Sequence, residues 1–241
     1  MLISVIEGAL SAPAYPDLAG KRVLLSGVRR GCGVDIARAF ADHRVRLAVQ
    51  FAEASPAMDA VAELVAPTAL EAQAYGPVRA GSDNAAEFAK AAVQAFGGLD
   101  VVVNMVPLET AHLDPAATVG DVDRLIAGQL ELPLLISRIA ANRMSVTWTQ
   151  GLILNVATLS GRPGGARQAF ATLAKSSLVD LTRAQAEEWA GRGIRFNAIA
   201  PQTLPAEPGP HLSGEADVAS LALYLASQHG KSLSGCVFEA A

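Results

Sequence analysis

From residue 22 onward, short apolar runs alternate with stretches whose apolar positions recur every three to four residues. RVLLS at 22–26, bounded by Gly20 and Gly27, has the length and continuity of a buried strand. GVDIARAFADH at 33–43 carries Ile36, Ala37 and Phe40 at helical spacing. VRLAVQF (45–51) predicts a second strand, 56–65 a helix, and TALEAQAY (68–75) a weak third strand. NAAEFAKAAVQAF (84–96) predicts an amphipathic helix ending at Gly97-Gly98, and LDVVVN (99–104) a β-branched strand. A long helix is expected over 119–143, with Pro133 to bend it, then a strand at 151–157 and a helix over roughly 165–190. A strand at 194–200, a helix at 215–228 and a strand at 236–240 complete the series. Near-continuous apolar strands alternating with helices predict a parallel sheet covered on both faces. Right-handed crossovers then give a doubly wound, Rossmann-like α/β domain of about seven strands. Residues 20–241 are expected to form this single domain and residues 1–19 an N-terminal extension. PQTLPAEPGP (201–210) reads as a surface loop rather than a linker.

Composition narrows the function classes. The chain is 51% hydrophobic and 17% charged, which predicts large buried faces, subunit interfaces among them. A net charge of −4 leaves no electrostatic footprint for nucleic acid or an acidic membrane. No apolar run reaches the roughly 18 residues of a spanning helix. The first residues lack the basic start of a signal peptide, so a cytoplasmic protein is expected. Cys32 and Cys236 lie too far apart in sequence to suggest a disulfide framework, and four scattered histidines show no metal-ligand spacing. Trp148 and Trp189 are expected to pack rather than bind.

SGVRRGCG (26–33) follows the first strand and opens directly into a helix, with glycines at 27, 31 and 33. A glycine loop in that place can bring backbone N–H groups and a helix N-terminus up to a pyrophosphate. The other reading is a tight turn without a ligand. An NAD site usually places an acid at the end of the second strand. Here Gln50, Phe51 and Ala52 stand there, and Glu53 follows too late. Arg29 and Arg30 sit inside the loop, where a guanidinium could reach a 2′-phosphate, or the pair could simply be solvated. If a dinucleotide binds, NADP is favoured over NAD.

The spacing of SGVRRGCG, LDVVVN, ILNVATLSG, the Lys175 helix, GIRFNAIAP and EADVASLALYLAS resembles the short-chain dehydrogenase/reductase family. Within it, the chain is most similar to 3-oxoacyl-carrier-protein reductases, from about residue 20 onward. The resemblance implies hydride transfer between a nicotinamide cofactor and a small carbonyl or alcohol substrate. It implies cofactor contacts at Ser26, Gly27, Gly31, Gly33, Asn104 and Lys175, with Ser26 in place of the usual threonine. Thr158 corresponds to the catalytic serine, with Ser160 a nearby alternative, and Lys175 to the active-site lysine. Gln129 falls where the central helix usually carries asparagine. The catalytic tyrosine, four residues before the lysine, falls at Ala171, and Phe170 beside it has no hydroxyl. Asn104-Met105-Val106-Pro107 replaces the usual Asn-Asn-Ala-Gly, Pro201-Gln202 the usual Pro-Gly, and Glu239-Ala240-Ala241 the usual Asp-Gly-Gly.

These departures leave two expectations. One is an NADP-linked oxidoreductase with a degenerate site in which Thr158 and Lys175 act without the phenol. The alternative is a non-catalytic nucleotide-binding or scaffold subunit, with or without bound dinucleotide. Thr158 could equally cap backbone at a strand end, and Lys175 could lay its stem on apolar helix with its head in solvent. A homodimer or homotetramer, assembled through the helices at 119–143 and 165–190, is expected on either reading.

Overall fold

The computed structural model describes residues 15–79, 82–108, 118–158, 166–201 and 215–240. Seven strands form one parallel sheet: β1 (Arg22–Val28), β2 (Arg46–Phe51), β3 (Glu71–Tyr75), β4 (Val101–Pro107), β5 (Leu152–Thr158), β6 (Arg195–Pro201) and β7 (Val237–Ala240). Their order is β3-β2-β1-β4-β5-β6-β7. The direction of winding reverses between β1 and β4, which opens a crevice at their carboxyl ends. Six helices cover the faces among the described residues: α1 (Cys32–Asp42), α2 (Pro56–Val65), α3 (Ser82–Gln94), α4 (Val119–Val146), α5 (Ala166–Trp189) and α6 (Glu215–Ala226). None is both long and apolar enough to cross a membrane.

Strand alternation sorts the core into two faces. On β1, Val23 and Leu25 join one buried cluster with Phe40 of α1 and Leu223 of α6. Leu24 points the other way, into a cluster with Val93 of α3, Ile136 of α4 and Phe196 of β6. The helix starts follow local chemistry. Ser55 precedes Pro56, whose missing N–H costs nothing at the first helical position. Thr118 and Asp121 close a reciprocal capping box at α4.

β1, β4, β5 and β6 run one to three residues past the expected limits at their carboxyl ends, as Val28, Pro107, Thr158 and Pro201 continue the extended run, while β2, β3 and β7 end where expected. Residues 15–19 lie against the domain. Tyr15 and Leu18 are buried in its core, and the Asp17 carboxylate accepts the Gln228 backbone N–H. Trp148 departs from expectation. It follows α4 at positive φ and is 91% exposed, so none of the described residues covers it.

At the amino ends of the strands, Arg22 grips Asp100 through two side-chain bonds of 2.8 and 2.9 Å and a backbone bond of 2.9 Å. Burial pushes the Asp100 carboxyl up, but the hydrogen bonds from Arg22 and its positive charge outweigh this and hold it below the usual carboxylate range. Asp100 also accepts the Leu152 N–H on its own carbonyl, so one residue ties the starts of β1, β4 and β5.

Candidate active site

The glycine loop leaves β1 at the crevice. Gly27 has φ +71°, and a Cβ there would come within 2.8 Å of the Met105 carbonyl oxygen. Only glycine fits that backbone and that approach. Gly31 has φ +91° and starts α1 without a side-chain cap, so the helix presents its N-terminus to the crevice without a competing carboxylate or hydroxyl from that position. Gly33 sits inside α1, where a Cβ would meet Val28 and the Met105 methyl at ordinary contact distance. An anionic diphosphate therefore fits this end of the site. Arg29 is half-buried and Arg30 exposed as the chain leaves β1.

Beneath the loop lies a buried polar network. The Ser26 hydroxyl donates to Asn104 Oδ1 at 2.8 Å. Asn104 Nδ2 donates to Ser137 Oγ at 2.9 Å and to Asn155 Oδ1 at 3.0 Å, and lies 3.4 Å from the Pro133 carbonyl. Ser26 is 1% exposed and Asn104 fully buried, so both side chains hold β1, β4, β5 and α4 together from within. Met105 is also core, packed below the loop.

Gln50, which stands where a ribose-binding acid is usual, has a role that spacing does not show. Buried at the end of β2, it accepts the Gly27 N–H at 2.7 Å and donates to the Phe51 carbonyl at 2.5 Å. It braces the loop from the side. Its burial in a strand of apolar neighbours was the available signal, since a buried amide must find partners.

The opposite wall carries the catalytic candidates. Thr158 ends β5 opposite Pro107, and its carbonyl accepts the Leu108 N–H at 2.7 Å. Ala171 is fully buried in α5. Phe170 joins an apolar cluster with Val106, Leu108, Leu130, Ala157 and Ala200, at the carboxyl ends of β4, β5 and β6. Lys175 has a buried stem, and its Nζ bonds Glu239 Oε1 of β7 at 2.5 Å. The cation is thus tied to the edge strand, three strands from β4. At sequence level Glu239 stands only as a departure from the usual Asp-Gly-Gly. Register now gives it a partner, because Glu239 pairs with Ala200 and sits beside α5. Ser160 and Gln202 lie outside the described residues.

Residues 27–215 match the family described as enoyl-(acyl carrier protein) reductase. The chain belongs to the short-chain dehydrogenase/reductase family. Among curated relatives of this family, a 3-oxoacyl-[acyl-carrier-protein] reductase of Staphylococcus aureus is 27% identical over 232 residues, covering 89% of this chain and 94% of that protein. An uncharacterized oxidoreductase of Thermotoga maritima is 30% identical over 189 residues, covering 78% and 73%. The fold matches an Escherichia coli hydroxysteroid dehydrogenase with TM-score 0.77 and 21% identity, over 95% of this chain and 98% of that one. A short-chain dehydrogenase/reductase from Serratia marcescens superposes with TM-score 0.76 and 23% identity, over 92% and 97%. As a short-chain dehydrogenase/reductase, this chain has the seven-stranded parallel frame of its structural neighbours.

Proposed function

We propose that the protein is an NADP-binding member of the oxidoreductase family whose hydride-transfer site is degenerate. Carbonyl reduction or alcohol oxidation is slow in it. The backbone at Gly27, Gly31 and Gly33 leaves room for the pyrophosphate, and Arg29 and Arg30 take the ribose 2′-phosphate. Ser26 and Asn104 serve this site by fixing β1 and β4 beneath it. When bound, the dinucleotide supplies or accepts the hydride. The chain must then move a proton at the substrate oxygen. With Ala171 carrying no hydroxyl, Thr158 supplies a hydroxyl on this wall and Lys175 a cation. The observation that carries this reading is the 2.5 Å bond between Lys175 and Glu239 beside a buried Ala171.

A second reading is a non-catalytic nucleotide-binding or scaffold subunit. It is favoured by the apolar cluster around Phe170 at the strand ends. Titration with NADPH and NADH, followed by turnover on ketones and 3-oxoacyl thioesters, separates the two. A charge-assisted contact to the 2′-phosphate contributes about 1.5–3 kcal/mol, so NADPH is expected to bind at least about tenfold more tightly than NADH. Calorimetry giving equal or reversed affinities overturns the NADP assignment. Tight binding with no turnover on any substrate selects the scaffold reading.

A further inference from the structure

At the amino ends of the strands, on the far side of the sheet from the glycine loop, a cavity of about 770 Å³ opens between the ends of α5 and α6 and the starts of β6 and β7. Its size is that of a small-molecule site. Its charged lining is Lys21, Arg183, Arg195 and Lys231, with a single acid, Glu187. Among the described residues, none of these five side chains is in an ion pair. Four cations therefore face one solvated carboxylate across a shared hollow, in a chain whose overall charge is −4. Such a local reversal of sign draws anions in from solution.

Arg195, like Lys21, is half-buried, while Arg183 and Lys231 are exposed. The Arg195 Nη1 donates to the Leu225 carbonyl at 2.9 Å and the Gly230 carbonyl at 2.7 Å, at the end of α6 and of the short helical turn after it. Those carbonyls orient the guanidinium without neutralising it. Burial with no carboxylate beside it lowers its pKa. Ala186, Ala190, Ile194 and Ala226 supply an aliphatic wall between the cations.

We propose that this cavity binds a small organic polyanion, bearing two or more phosphate or carboxylate charges on a compact body. The charges engage Lys21, Arg183, Arg195 and Lys231, and the body lies along the aliphatic wall. A single inorganic phosphate would leave most of this volume empty. The proposal is independent of the hydride-transfer reading, because the two sites lie at opposite ends of the sheet.

Calorimetry in low-salt, phosphate-free buffer tests it, with inorganic pyrophosphate and citrate as probes. The expected result is a one-site event that weakens at least about tenfold in the double variant Arg183→Gln/Lys231→Gln, both positions being exposed. A preference for pyrophosphate identifies a phosphate ligand, and a preference for citrate a polycarboxylate. Lys21→Gln gives a second route to the same loss. NADPH titrated separately is expected to bind more weakly in Arg30→Gln and unchanged in the double variant, so failure of the nucleotide reading and of this proposal are told apart. The proposal is overturned if neither probe binds at millimolar concentration, or if all binding survives the double variant.

Discussion

In Lys175, a cation that a phenol at residue 171 could use meets a carboxylate on the edge strand instead. A free phenol has a pKa of about 10 and needs a neighbouring cation to act near neutrality. On the proposed reading, the absence of a hydroxyl at Ala171 and the pairing of Lys175 with Glu239 act in the same direction. Ala171→Tyr alone is expected to raise NADPH-dependent ketone reduction by less than about a hundredfold, since a positioned general acid contributes about 10²–10⁴-fold and Lys175 stays tied. Adding Glu239→Gln is expected to give at least a further tenfold, measured by steady-state loss of NADPH absorbance. A double variant no faster than the single one would mean that the pair does not limit the site. Tyrosine also has to displace the neighbours of a fully buried alanine, at a cost of about 1–3 kcal/mol that thermal melts will register. The resemblance to the family singles out Ala171 at sequence level, but not the bond to Glu239. A helix period locates residue 171 one turn before residue 175, whereas a contact across 64 positions depends on sheet register.

The elements were the most legible level, because buried parallel strands and amphipathic helices each impose a period on the sequence. What the period hides is where polar side chains turn once buried. Ser26, Asn104, Ser137 and Asn155 come from β1, β4, α4 and β5 and meet in one network, which no spacing along the chain encodes. Asn104→Ala would leave three buried partners unsatisfied. It is expected to cost about 3 kcal/mol in urea denaturation, with cofactor affinity falling as β4 loosens under the loop. The strand starts provide a pH signature. Asp100 has a folded-state pKa below its unfolded value of about 3.9, so its contribution is fully present above that pH and is lost as the pH falls through the folded pKa. Asp100→Asn is expected to destabilise by about 1–3 kcal/mol at pH 7. The gap to the wild type should close in acid, which denaturation curves from pH 7 down to about pH 2.5 would follow.

At the scale of the whole molecule, apolar side chains remain on the surface of the two longest helices. Leu173 on α5 is 52% exposed, and Val146 at the end of α4 is 72% exposed. Together with a chain that is 51% hydrophobic, they favour assembly through these helices. Light scattering is expected to give a dimer or tetramer at micromolar concentration, and Leu173→Asp to shift the population toward monomer. A wild-type monomer at that concentration would overturn the expectation. Trp148 lies two residues beyond Val146 and stands almost entirely in solvent, while Trp189, the only other tryptophan, is half-buried at the end of α5. The protein thereby carries its own optical gauge. Iodide should quench one of its two indoles readily and reach the other poorly. The readily quenched fraction should shrink on concentration, with a blue shift in emission, if a neighbouring copy comes to rest on that corner.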